Sequence, residues 1–273
     1  MKRQILISIL LCGLWACNSA TKQTEQQADS LLSETERMIR HDSLDMAQTW
    51  IDSLIGHYPE QTLQRRRARA LGDSIRYIKD CRTLLHTDSA LQLLSEEMER
   101  QQGAFTYVRQ EAYQTRGNLF HQHLLTPQSG IERSMLQPYF DEDMNLFVRC
   151  ICRSPRALET RSVSLHAGED VISRDEIYSR HAYEANGSHF ELLTLRGRDA
   201  YLLLEFIANH ATDMLHVTHE AEQPYEYVLP AMDVNALAEA YELATLIYET
   251  KALQREHERA ASNIARYTAR QPK

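Results

Sequence analysis

The sequence predicts an α+β fold: a long antiparallel helical hairpin with coiled-coil packing, a mixed β-rich middle domain with one short helix, and a long C-terminal helix returning onto the hairpin. Three observations predict it. Five of the seven prolines (Pro127, Pro138, Pro155, Pro224, Pro230) and four of the nine glycines (Gly130, Gly168, Gly187, Gly197) fall between residues 118 and 232. Both flanks are rich in Ala, Leu, Glu, Gln and Arg, which favour helix. In those flanks apolar residues recur every three or four positions, the single stripe of an amphipathic helix. In the middle the period shortens, and Asn186-Gly187 between Tyr183 and the run Phe190 to Leu195 is a hairpin signal.

The chain opens with Lys2 and Arg3, then an apolar stretch from Ile5 to Leu14 interrupted by Ser8, Cys12 and Gly13, then Leu14-Trp15-Ala16-Cys17. This is the layout of a secretory signal. Its apolar run, about ten residues, is half of the ~20 that a spanning helix needs. The end of the segment resembles the bacterial lipobox, with Leu14 three residues before the cysteine and Ala16 just before it; Trp15 departs, because that position is usually small. The resemblance implies that residues 1–16 are removed as a signal peptide and that the Cys17 thiol carries a diacylglycerol. An ordinary signal cut near Ala20 is the alternative. Two or three acyl chains at the amino terminus anchor a protein stably to a membrane where one would not.

Residues 17–41 then hold the lipidated cysteine, a polar tether from Asn18 to about Gln27, and a first helical segment. Residues 42–117 read as the hairpin. Its first helix carries Leu44, Ala47, Ile51, Leu54 and Tyr58, with Asp42 suited to the N-cap and Asp45 to the first turn. Gly56-His57-Tyr58-Pro59 breaks it, and Pro59 fits the first position of the next helix. That helix runs through Leu71, Ile75, Ile78, Leu85, Leu91, Leu94, Met98, Phe105, Val108 and Ala112 to Gly117, with a phase slip near Cys81 to Asp88. It outruns its partner, so its far portion, Leu91 to Ala112, needs other cover. The C-terminal helix, residues 233–273 with Asp233 as N-cap and a stripe at Leu237, Tyr241, Ala244 and Tyr248, is expected to return antiparallel to it. Between the two, residues 118–232 form the β-rich domain. Strands are expected at Asn145 to Cys152, Arg161 to Leu165, the Asn186-Gly187 hairpin, Met214 to Val217 and Tyr225 to Leu229, with a short buried helix from Asp199 to Ala208.

A net charge of -8 and a pI near 5.8 argue against nucleic acid, whose phosphates need a concentrated basic surface. The basic cluster Arg65-Arg66-Arg67 with Arg69 reads as a solvated helix surface, or as a contact to acidic lipid head groups. After processing, Cys81, Cys150 and Cys152 remain beside Cys17. Three thiols cannot all pair, which excludes a disulfide scaffold. Cys150 and Cys152, two apart on a strand, together with His121 and His123 make a tetrahedral zinc donor set. The usual C-x2-C spacing is missing, however, and free cysteine is commonly buried, so neither metal nor cofactor is expected. His216 and His219, three apart on a strand, point to opposite faces. Asp141-Glu142-Asp143 could pair carboxylates for hydrolysis but reads better as a solvated turn. No motif for a serine hydrolase, zinc protease, P-loop or dinucleotide site is present.

Asp-Ser-apolar occurs five times within the N-terminal helices, at Asp29, Asp42, Asp52, Asp73 and Asp88. It is ordinary helix grammar, and it also resembles the O-glycosylation acceptor of Bacteroidales periplasmic and surface proteins, with Ser30, Ser43, Ser53, Ser74 and Ser89 as sites. Trp50-Ile-Asp-Ser-Leu54 with Tyr58-Pro59, Leu71-Gly-Asp-Ser-Ile75, Asp143-Met-Asn-Leu-Phe-Val148, Arg161-Ser-Val-Ser-Leu165, Phe190-Glu-Leu-Leu-Thr-Leu195 and Phe206-Ile-Ala-Asn209, in that order, resemble an uncharacterised family of lipoproteins from Bacteroidales-type bacteria. The resemblance covers nearly the whole mature chain. It implies the anchor and the architecture, and no activity or catalytic residue.

The expected role is a lipid-anchored envelope protein acting as a non-enzymatic interaction or structural module, with an envelope protein as partner. The expected location is the outer membrane, on its periplasmic face, because Asn18 to Lys22 lack the acidic cluster that resembles a surface-export signal. The alternative is a glycan- or peptide-binding module in which Tyr139, Phe140, Tyr178, Tyr183, Tyr225 and Tyr227 line a cleft of the middle domain; an envelope hydrolase is third. A middle domain with no pocket above ~300 Å³ would remove both alternatives.

Overall fold

The computed structural model describes residues 22–109, 116–126 and 130–270; Cys17 lies outside the described residues. The fold is α+β, with helix-rich terminal parts around a β-rich middle and two antiparallel sheets. The chain divides into two compact units, one of Met1–Ser89 with Gln254–Lys273, the other Ala90–Leu253.

The helical unit contains α1 (residues 22–40), α2 (Leu44–His57), α3 (Thr62–Gln102) as far as Ser89, and the end of α5 (Ala231–Arg270). The expected α2 stripe is the buried one: Leu44, Ala47, Ile51 and Leu54 pack with Leu32 of α1 and Ala68 and Ile75 of α3. Asp45 pairs with Lys79 at 2.6 Å and Asp42 with Arg82, so α2 and α3 run antiparallel. Asn263 donates to Asp80 at 3.2 Å, the His257 ring lies 2.8 Å from Asp88, and Tyr267 stacks on Tyr77 with centroids 4.6 Å apart. The C-terminal helix therefore returns antiparallel to α3.

Three details differ from expectation. Helix α1 already includes residues 22–27, read above as tether, because Ala28, Leu32 and Thr35 bury one of its faces. Ser43, not Asp42, occupies the N-cap position of α2, without a side-chain hydrogen bond to the helix; Asp42 adopts a left-handed φ of 63° and turns its carboxylate to Arg82. Pro59 lies in the turn before Thr62, where its carbonyl accepts from Arg65 at 2.9 Å.

In the β-rich unit, α3 ends at Gln102 rather than at Gly117. Gly103 interrupts the helix, and Phe105-Thr-Tyr-Val108, aromatic and β-branched, form strand β1. Ala112 lies outside the described residues. The further strands are β2 (Asn118–His121), β3 (Met135–Asp141), β4 (Leu146–Ser154), β5 (Ser162–Ala167), β6 (Asp170–Arg174), β7 (Ser179–Ala185), β8 (Ser188–Arg196), β9 (Leu215–Glu220) and β10 (Tyr225–Val228); α4 spans Gly197–Asn209. One sheet has the order β1-β2-β3-β4-β8-β7 and the other β10-β9-β5-β6. At the β7–β8 hairpin Asn186 and Gly187 have φ of 52° and 69°, the pair of left-handed residues that a type I′ turn requires.

One core joins the two sheets, α4 and the first half of α5. Leu136, Val148, Cys150, Leu193 and Leu195 of the larger sheet meet Val163, Leu165 and Val217 of the smaller, with Leu203, Leu204, Leu237 and Leu243 from the helices. Met98 and Phe105 reach this core, as expected for the far part of the second helix, although Phe105 does so from a strand. Helix α5 starts at Ala231, so Asp233 sits in its first turn rather than at its N-cap.

Candidate functional site

Register and burial separate the residues that sequence grouped together. Cys150 and Cys152 are both buried on β4, and their neighbours hold both thiols protonated. Burial pushes the Cys150 thiol up to about 12, and burial aided by the Glu191 carboxylate pushes Cys152 up to about 12, against hydrogen bonds from Ser134 and Ser154. His121 and His123 turn away from them toward α5. The His121 ring nitrogen Nε2 lies 2.9 Å from Glu239, and His123 Nε2 lies 3.0 Å from Asp233, which also accepts from Arg133 at 2.5 and 2.8 Å. Among the described residues, no three His, Cys, Asp or Glu side chains converge as metal ligands. The four residues that could have made a zinc donor set are divided between a core strand and two carboxylate partners.

The acidic cluster makes a turn. Asp141 Oδ1 accepts from the backbone N–H of Asp143 at 3.0 Å and of Asn145 at 2.8 Å, while Met144 takes a left-handed φ of 54°. Glu142 accepts from Tyr107 at 2.6 Å, and Asp143 pairs with Arg116 at 3.0 Å.

A more buried carboxylate carries greater structural weight. Glu191 of β8, 4% exposed, accepts three backbone N–H bonds from the β4–β5 connection, from Leu158 and Glu159 at 2.7 Å and Thr160 at 2.8 Å. Burial alone would raise its pKa, but the Thr160, Leu158 and Glu159 bonds more than offset that and hold it below its ordinary value. Nearby His219 is fully buried, and burial pushes its pKa down to about 4 against the pull of Glu191. The imidazole is therefore neutral in the core. Tyr227, whose hydroxyl is also buried, is pushed well above its ordinary value, first by burial. Sequence singled out neither Glu191 nor Arg133, since nothing local distinguishes either from a surface charge.

The six candidate aromatics do not share a cleft. Phe120, Tyr139, Phe147 and Arg196 are direct neighbours across β2, β3, β4 and β8. Tyr139 stacks on Phe147 at 5.0 Å and 9°, and Tyr178 continues the ladder at 5.8 Å, with Arg196 over its ring at 4.3 Å. Rings stacked on one another spend their faces on the sheet, as cross-strand pairs do. Phe140 points to the opposite face and is fully buried, and Tyr183 stacks on Phe190 at 5.0 Å. Tyr225 and Tyr227 belong to the smaller sheet.

Of the candidate acceptor serines, Ser30 and Ser89 are exposed on helices, while Ser43, Ser53 and Ser74 are half-buried; the Ser74 hydroxyl lies 3.3 Å from Tyr267. Two open clefts of the β-rich unit exceed the volume that would have removed the binding alternatives. One, about 410 Å³, is lined by Arg133, Ser134, Arg153, Ser154, Ser188 and Tyr225 among others. The other, about 540 Å³, is lined by His166, Ala167, Gly168, Asp213, Met214 and His216. No helix among the described residues is long and apolar enough to cross a membrane. No protein-family model, curated protein or solved structure matches the chain.

Proposed function

We propose that the chain is a lipid-anchored protein of the outer membrane, on its periplasmic face, working as a non-enzymatic interaction or structural module for an envelope protein partner. The observation that carries this reading is the helical unit. It has a closed core of its own, and Lys22, five positions after Cys17, is already part of α1. Five residues span at most ~17 Å, so acylation of Cys17 would keep that unit against the lipid surface. In the interior of the β-rich unit the thiols are held protonated, His219 is held neutral, and Glu191 and Asp233 are committed to amides, Arg133 and His123, so these groups serve the packing of the unit.

The anchor is tested by fatty-acid labelling and membrane fractionation of the wild type and Cys17→Ser; the variant should lose label and become soluble. The partner is tested with photo-crosslinking side chains at Leu85 and Leu93, which are 69% and 67% exposed on α3. One discrete adduct in intact cells is expected; its absence at these and other exposed α3 positions would refute the interaction reading. The second reading, a ligand-binding module, is favoured by the two clefts of the β-rich unit.

A further inference from the structure

The cleft of about 540 Å³ has an arrangement on one wall that the anchor and the helices do not explain. His166 of β5 and His216 of β9 are direct cross-strand partners. Side chains so paired stand on the same face with Cβ atoms about 4.5–5.5 Å apart. Both rings line the cleft with Asp213 and Met214. Val171 and Val228, the outer neighbours of the two histidines in the same row, are 54% and 47% exposed, so the row is open to solvent.

The hydrogen bonds around the pair fix which nitrogen of each ring is free. His216 Nδ1 lies 2.5 Å from Glu226 Oε1. A carboxylate only accepts, so Nδ1 carries the hydrogen and Nε2 keeps its lone pair. On the other ring, His166 Nε2 lies 3.2 Å from Ser164 Oγ, and that hydroxyl spends its hydrogen on Glu220 Oε1 at 2.6 Å. Ser164 can then only accept from His166, which places the hydrogen on Nε2 and leaves Nδ1 free. Each ring is thus oriented from behind by a carboxylate, directly in one case and through a serine in the other. This is the outer-shell arrangement that orients histidine ligands of metals.

We propose that His166 and His216 form a two-imidazole chelate for one divalent late first-row transition ion, Cu²⁺ ahead of Zn²⁺. Metal–nitrogen bonds of ~2.0–2.1 Å place two ligand nitrogens about 2.9–3.4 Å apart in cis or tetrahedral positions, a separation that imidazoles on Cβ atoms about 4.5–5.5 Å apart can span. Imidazole nitrogen suits this part of the series, and affinity rises to copper. Glu220, Glu226 and Asp213 supply negative charge around the pair; Asp213 is held 3.0 Å from His210 Nδ1. Gly168, at the β5–β6 turn, puts no side chain into the mouth of the cleft. Two protein ligands leave the remaining coordination positions to water or an external donor, so the ion is exchangeable and not a structural staple. Cys150, Cys152, His121 and His123 have no part in this site.

The test uses the full chain, stripped with a chelator and titrated with Zn²⁺ by calorimetry and with Cu²⁺ by electron paramagnetic resonance. One ion per chain is expected, with hyperfine splitting from two nitrogens. His166→Gln and His216→Gln should each weaken binding at least tenfold, and Glu226→Gln about tenfold, the lower end for loss of an outer-shell partner. His123→Gln should leave binding unchanged. Circular dichroism of each variant checks the fold, and the nitrogen count of the wild type needs no variant at all. Absence of saturable binding, a copper spectrum without two nitrogens, or wild-type affinity in either histidine variant would overturn the proposal.

Discussion

Replacing Glu191 should destabilise the β-rich unit by an amount that its three amide bonds set. Each hydrogen bond to a charged group contributes roughly 1.5–3 kcal/mol, and each donor left buried without a partner costs ~1–3 kcal/mol. Of the three donors, Thr160 is fully buried, Leu158 half-buried and Glu159 exposed. In Glu191→Ala, water can reach the last of these and part of the second, so the loss is about 3 kcal/mol rather than the ~5–9 kcal/mol of a simple sum. Glu191→Gln keeps one carbonyl oxygen for the amides of Leu158 and Glu159 but sets its NH₂ against Thr160 N–H, for about 2 kcal/mol. Hydrogen exchange of the β4 and β8 amides reads the unit directly, without assuming that the whole chain unfolds in one step. The sign with pH follows from the lowered pKa. A carboxylate depressed in the folded state adds stability above its unfolded pKa, near 4.3, and that stability is lost as pH falls through the folded value. The gap between wild type and Glu191→Gln should therefore be full at pH 7 and shrink below about pH 4. A Glu191→Ala variant within ~0.5 kcal/mol of wild type at pH 7, the scatter of ordinary surface changes, would refute the reasoning.

Further outcomes follow from burial and backbone geometry. In Cys17→Ser protein a thiol reagent at pH 8 should label Cys81, which is half-buried, and spare Cys150 and Cys152, whose thiols are pushed to about 12; mass spectrometry of the labelled peptides checks this. Gly187→Ala should cost about 1 kcal/mol, read as faster exchange in β7 and β8, because φ is +69° there and nothing stands within 4 Å of the added Cβ. Deleting residues 234–273 removes Val234, Leu237, Leu243 and Ile247 from the core that Met98 and Phe105 share. At ~1.5–3 kcal/mol for each side chain the loss approaches the whole stability of a domain. Aggregation and dye binding are expected; an unchanged melting temperature with a monomeric product would exclude the returning-helix packing.

Legibility in the sequence follows the range of the signal. The α2 stripe, the Asn186-Gly187 hairpin and α4 are written in neighbouring residues, and the structure has them where periodicity and turn chemistry put them. The end of the long helix is not legible in its spacing, because Phe105 and Val108 keep a three-residue interval that suits either a helix or a short strand; Gly103 is the stop signal the sequence offers. Strand β3 is illegible for a different reason. Met135-Leu-Gln-Pro-Tyr-Phe-Asp141 is covered on both faces for most of its length and so never alternates, and Pro138 speaks against a central strand although it sits in one.

Sites are less legible still, because they are made by register. His216 and His219 are three residues apart on a strand, and that spacing sends them to opposite faces: His219 is sealed in the core, His216 stands outside. The partner that matters to His216 is His166, fifty positions away along the chain, and only the β5–β9 pairing brings them level. A slip of one residue in that pairing would turn His166 inward and replace it opposite His216 by Leu165 or Ala167. The inner row, Val163, Leu165 and Ala167 against Leu215, Val217 and His219, forbids such a slip by its burial. The apolar side of the smaller sheet thus fixes the pairing of the polar side, and the packing that stabilises the fold also places the two imidazoles where one ion can reach both.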